Sequence, residues 1–278
     1  MKILIISDIK GKSNTILPFG LKLARHLQAE VEVFHAVDPR INHGVPTPYA
    51  DSHTISPAEK LSFEEVIRKE KGEAQEELDQ LLSRETSRQN YPLKVSLHVE
   101  ATSIVNKLLD PDMPSDCLLL INREPDGQIF ISRQEIIDIC RKFRGICLIV
   151  PPGQEAAEFK NILLPTDFTN KDKKAYEKIS SFIRNFSPFI NAVNTGNRNT
   201  RTGEWKRLAT EIFPGSQMNC HTLDADGQDA LIEYAGKIQP DLIVWPNQPQ
   251  PALKAIFKKD MAGTLLEKTG SAVLFCCA

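Results

Sequence analysis

Two aspartates stand at the ends of apolar runs, where an acid either holds a hydroxyl-bearing ligand or caps the helix that follows. Ile3-Leu4-Ile5-Ile6-Ser7-Asp8 opens the chain, and Ile162-Leu163-Leu164-Pro165-Thr166-Asp167 repeats the pattern. Other reactive groups are scattered. Gly11-Lys12-Ser13 has the ending of a phosphate-binding P-loop, but the upstream glycine that motif needs falls on Ile6, so no phosphate cradle is expected there. His43, Asp51 and His53 match no standard metal-site spacing, and a polar loop is the expectation. His98 and His221 fall at similar places on two strands expected near sheet edges. No Ser–His–acid or Cys–His signature is present, so neither a catalytic residue nor a metal site is expected. None of the six cysteines forms a CxxC pair. Cys117, Cys147, Cys276 and Cys277 fall on or beside buried strands and Cys140 on a helix, so they read as reduced packing residues. The adjacent Cys276 and Cys277 would point to opposite faces of a strand. Trp205 and Trp245 read as packing residues rather than stacking platforms.

The elements that would position the two acids come twice. A run from Asp116-Cys117-Leu118-Leu119-Leu120 to Gly145-Ile146-Cys147-Leu148-Ile149 matches one from Asp241-Leu242-Ile243-Val244-Trp245 to Gly270-Ser271-Ala272-Val273-Leu274 at an offset of 125. A fixed offset over that distance argues for duplication. At the second strand the offset is 156, from Ala36 to Ala192, so the first half holds about 31 extra residues, which segment 38–90 can contain. Pro151-Pro152-Gly153-Gln154-Glu155 is the expected linker, giving domains 1–152 and 153–278.

Apolar five-residue strands alternate with helical patterns through both halves. That order predicts two tandem doubly wound α/β domains, each a five-stranded parallel sheet with helices on both faces. Helices are expected near 13–29, 56–88, 102–109 and 133–143, then near 172–186, 203–213, 228–238 and 251–269. Ser56-Pro57-Ala58-Glu59 is a helix-start pattern. The helix it opens carries Glu64, Glu65, Glu70, Glu73, Glu76, Glu77 and Asp79 as one acidic, solvated face. In such sheets ligands sit at the carboxyl ends of the strands, which is where Asp8 and Asp167 fall. The closing strands, 146–150 and 272–276, are the candidate edges for pairing.

Bulk properties remove several functions. Of 278 residues, 41% are hydrophobic and 25% charged, as in ordinary soluble proteins. Residues 1–152 carry 19 basic and 22 acidic side chains, and residues 153–278 carry 15 and 14. Neither half has the basic excess of a nucleic-acid binder. The apolar runs are strand-sized, so no membrane span and no signal peptide are expected, and a cytoplasmic location is.

Three stretches resemble the universal stress protein family in its tandem form. Ile162–Thr169 resembles its opening strand and Pro-Thr-Asp-Phe-Ser turn. Gly227–Ala235 with Pro240–Val244 resembles its third helix and fourth strand, and Ala272–Phe275 its closing strand. Phe34-His35-Ala36-Val37 is similar to its second strand. The resemblance implies a Rossmann-like, adenine nucleotide alpha hydrolase-like fold and a stress-associated role. It also implies ligand contacts at Ser7, Asp8 and Ala36 in one half and at Thr166, Asp167 and Ala192 in the other. ATP-binding members follow the fourth strand with Gly-x2-Gly-x9-Gly-Ser/Thr, because phosphate oxygens must reach bare main-chain N–H groups. Here those positions read Ile121, Glu124, Gln134 and Glu135, and then Pro246, Pro249, Lys259 and Asp260. Proline removes the N–H donor, and the carboxylates repel phosphate.

No cofactor is therefore expected, ATP included. The expected function is a non-enzymatic stress protein with degenerate nucleotide sites. It would work through a protein partner or self-association, as a homodimer or as a pseudo-dimer within one chain. One alternative is a small-molecule or adenine-nucleotide sensor, which needs a real cavity at the strand ends. Another is a weak nucleotide hydrolase, which needs a metal-held phosphate site.

Overall fold

The computed structural model describes residues 1–7, 16–39, 63–124, 133–154, 157–166, 168, 173–194, 202–223, 228–246, 264 and 267–276. The first half runs β1 (Lys2–Ile6), α1 (Ile16–Leu27), β2 (Glu30–Ala36), α2 (Phe63–Ser87), β3 (Val95–Glu100), α3 (Ile104–Leu108), β4 (Cys117–Asn122), α4 (Arg133–Lys142) and β5 (Ile146–Val150). The second runs β6 (Asn161–Pro165), α5 (Lys173–Arg184), β7 (Phe189–Asn194), α6 (Thr202–Ile212), β8 (Gln217–Thr222), α7 (Gln228–Ile238), β9 (Leu242–Pro246) and β10 (Ala272–Cys276). The start of the acidic helix at 56–62, the histidine loop and most of the expected helix 251–269 lie outside the described residues.

The two expected sheets are one. Ten strands pair in the order β3-β2-β1-β4-β5-β10-β9-β6-β7-β8. Each half contributes the same internal order, and neighbours within a half are parallel. The closing strands β5 and β10 join antiparallel, with Leu148 opposite Leu274 and Cys147 opposite Phe275. All ten residues of these two strands are buried. This antiparallel join sends the strands of the two halves in opposite directions, so their carboxyl ends open at opposite margins of the sheet. The linker turns at Gly153, whose φ of 77° is left-handed backbone suited to glycine.

Periodicity explains the helices. α1 buries Leu17, Leu21 and Ala24 on one side, with Pro18 harmless in the first turn. α5 does the same with Tyr176, Ile179 and Ile183. One continuous core lies on the face covered by α1, α5 and α6 and contains residues of both halves, from Ile3 to Leu274. The opposite core, under α3, α4 and α7, also spans both halves. α2 lays Ala74 and Leu78 against Leu97 and Val99 of edge strand β3. Further contacts cross the seam. His26 stacks on Phe186 at 4.8 Å, and Lys178 Nζ donates to the Arg144 carbonyl. None of the described helices is long and apolar enough to cross a membrane.

Strand register corrects the repeat alignment. Ile3 pairs with Leu118, and Ile162 pairs with Leu242. Leu118 and Leu242 belong to the same face, whereas the 125 offset would pair Leu118 with Ile243 on the other. The structural offset is 124 here. At β2 and β7 it is 159, since Ile6 pairs with Phe34 and Pro165 with Val193. A slip of one residue turns a side chain to the opposite face. Ala36 and Ala192 are therefore not equivalent: Ala36 lies in the α3/α4 core and Ala192 in the α1/α5 core. The counterpart of Pro246 is Asn122, because Asn122 pairs with Val150 and Pro246 with Cys276.

Candidate functional site

β1 delivers Ser7 to the carboxyl margin of the first half. Its N–H donates to the Phe34 carbonyl at 2.9 Å, extending the ladder beyond the strand. Its carbonyl lies 2.9 Å from His35 Nδ1. A carbonyl only accepts, so His35 carries its proton on Nδ1 in this contact. Ser7 and His35 are both buried, as is Ala36. The side of this margin beyond β4 is closed by an Asx turn, in which the Glu124 N–H donates to Asn122 Oδ1 at 3.0 Å. Arg123 bends back across the seam and donates to the Thr269 carbonyl at 2.8 Å. Ile121 is a buried strand residue rather than a loop residue. The first turn of α4 holds Gln134, which donates to Asp138 at 2.9 Å, and Glu135, an acid. A carboxylate there complements the positive end of the helix dipole and repels an incoming phosphate.

β6 delivers Thr166 in the same way, with its N–H donating to the Val193 carbonyl at 2.9 Å. Thr166 Oγ1 accepts the Phe168 N–H at 3.1 Å. Phe168 is in left-handed backbone, φ 56°, and sets its ring 4.9 Å from Trp205. Thr166 is 1% exposed, so its hydroxyl serves the turn rather than the solvent margin. Ala192 is fully buried, and the backbone of Pro246 belongs to β9. Trp205 and Trp245 are both buried packing residues.

Asp8, Asp167, Pro249, Lys259 and Asp260 lie outside the described residues. The fold brings Ser7 and Ala36 to one margin, and Thr166 and Pro246 to the other. Two polar wall residues escaped the sequence reading: His35 and its register counterpart Asn194, both buried. The signal was present, since each follows Ser7 or Thr166 by 28 residues.

At the first margin a cavity of about 370 Å³ opens between the strand ends and α2. Pro39, after β2, Ala101, after β3, and Ile67 give it apolar walls, to which Glu64, Arg68 and Lys71 add the apolar parts of their side chains. His98 is exposed on edge strand β3, and His221 stands 5.6 Å from the Tyr234 ring on edge strand β8. Among the described residues no group of three His, Cys, Asp or Glu is placed to hold a metal. None of the five described cysteines is in a disulfide. Burial pushes the Cys117 thiol up to about 11.

No family model and no curated protein matches the chain. Solved structures do match. The chain is similar to a universal stress protein from Archaeoglobus fulgidus DSM 4304, with a TM-score of 0.65 at 10% identity, over 99% of this chain and 96% of that one. A functionally unknown protein from Pseudomonas aeruginosa PAO1 gives 0.56 at 13% identity, over 99% and 92%. The cytoplasmic domain of a prokaryotic cation chloride cotransporter gives 0.55 at 13% identity, over 99% and 94%. At such identities the likeness is one of fold. This chain has the Rossmann-like α/β fold of the universal stress proteins across nearly its whole length.

Proposed function

We propose that the chain is a non-enzymatic stress-response protein of the universal stress type, with tandem domains 1–152 and 153–278, acting through protein–protein contact. Its two nucleotide sites are degenerate and take no cofactor. The observation that carries this reading is the start of α4. Glu135 occupies the first turn, where phosphate oxygens would need bare N–H groups, and Gln134 is tied to Asp138. In the other half Pro246 removes an N–H donor at the end of β9. The chain works in the cytoplasm, and its exposed acids on α2, among them Glu73, Glu76 and Glu77, face a partner.

Calorimetric titration of the purified protein with ATP and magnesium tests the loss of the nucleotide sites. The expected result is no saturable heat. Saturable binding that disappears in Asp8→Ala or Asp167→Ala would overturn the proposal and name the half that binds.

The cavity beside α2 favours a second reading, a small-molecule sensor. Its apolar walls suit an apolar small molecule. Mass spectrometry of the protein as purified decides between the readings. A stoichiometric small molecule that is lost in Ile67→Trp supports the sensor, and a bare protein supports the contact role.

A further inference from the structure

Two buried thiols lie within reach of each other under α4. Cys140 stands near the end of that helix and Cys147 in β5, and their sulfurs are 2.6 Å apart. A disulfide bond is about 2.05 Å long, so a small movement would close the gap. The short connection between them is held by packing. Phe143 is buried, and its N–H donates to the Ile139 carbonyl at 2.8 Å. At Gly145 a Cβ would stand 2.1 Å from the Cys117 carbonyl oxygen, so the chain passes where no side chain fits. The pair is thus set by the backbone path of α4 into β5.

We infer that Cys140 and Cys147 form a reversible redox pair, closed to an intramolecular disulfide by hydrogen peroxide. One thiol, as its thiolate, attacks a peroxide oxygen, giving a sulfenic acid and expelling hydroxide, which leaves as water. The second sulfur displaces hydroxide from the sulfenic sulfur, and that oxygen also departs as water. Two thiols lose two electrons and peroxide gains them. A small dithiol restores both thiols by exchange. Both cysteines are 1% exposed, so the reaction runs through local opening and is slow. Cys117 lies in the same core.

The bond would act at the seam of the molecule. β5 is the strand that joins β10, with Cys147 opposite Phe275. The turn between the two cysteines also reaches the second half, since the Arg144 carbonyl accepts from Lys178. Oxidation would tie α4 to the central pair of strands and stiffen the join. A stress protein with a peroxide-responsive seam needs no nucleotide to register its condition. This inference stands on the fold and does not require the nucleotide sites to be empty.

Peptide mapping tests it on the full chain. Reduced protein is treated with hydrogen peroxide, alkylated in denaturant and digested with trypsin. Arg141, Lys142 and Arg144 lie between the two cysteines, so cleavage separates them unless a disulfide holds them. The expected product is one linked peptide pair, lighter by two hydrogens and released by dithiothreitol. Cys140→Ala and Cys147→Ala should each abolish it. Recovery of both residues as separate alkylated peptides after peroxide would overturn the inference, as would a linkage through Cys117 or Cys276 instead. The wild-type map alone decides the matter if either variant fails to fold.

Discussion

Gly145 and Gly20 show how local geometry ranks substitutions. A Cβ at Gly20 would meet the side-chain ends of Ile5 and Leu120, which can shift. A Cβ at Gly145 would meet the Cys117 carbonyl oxygen at 2.1 Å, and that backbone belongs to β4. Gly145→Ala should cost about 3 kcal/mol or more, with Gly20→Ala costing less, as overpacking against backbone forces strand movement. Urea denaturation midpoints of the two variants check the order. Cys117 supplies a pH signature. Its folded thiol is raised by burial from 9.0 to about 11. The folded form keeps its proton where the unfolded chain ionises. The contribution is therefore complete below pH 9 and is lost as pH rises toward 11, by up to about 3 kcal/mol. Cys117→Ala should flatten that part of the stability profile, measured by urea melts across the window. The places of Ser7 and Thr166 at the strand ends were legible because a polar residue closes each apolar opening run. The faces of Ala36 and Ala192 were not, because nothing in an apolar strand marks which face an alanine takes.

At the scale of elements, α2 separates a structural role from an exposed one. Its buried stripe, Ala74, Leu78 and Leu82, rests on the sheet edge, while Glu76 and Glu77 are exposed. Leu78→Ala should cost about 2–5 kcal/mol. Glu76→Gln and Glu77→Gln together should stay within about 0.5 kcal/mol yet weaken any contact with a basic partner. Thermal melts and cross-linked pull-downs of the same variants check both halves of that expectation. A large loss of stability in the glutamine variant would show that the acids serve the fold instead. The strands were legible as elements, and the two closing strands, 146–150 and 272–276, were read to the residue. Their register was not. β4, β5 and β10 are buried on both faces, and a strand without polar alternation carries no mark of its phase. That is why the ungapped repeat placed Ile121, rather than Asn122, opposite Pro246.

For the whole molecule, the continuous sheet has a thermodynamic consequence. Both cores contain residues from each half, and the seam buries Leu148 against Leu274. The halves should therefore unfold together. Calorimetry should give a single transition, and Leu274→Ala should lower it as a unit by destabilising about 2–5 kcal/mol. Two separated transitions, with only the second half affected by Leu274→Ala, would show that the seam is weak.

The amino-acid sequence determined the alternation of strand and helix, the doubling of that pattern and the two edges able to pair. These follow from local periodicity, from turn residues such as Gly153 and from the polar residues that close each opening strand. Tertiary structure decided which residues face which core, that the two sheets are one, and that His35, Asn194 and the thiols of Cys140 and Cys147 hold their places. Those outcomes depend on the phase of strands buried on both sides and on packing across the seam. Both are properties of neighbours distant in the chain, and no short stretch of sequence carries them.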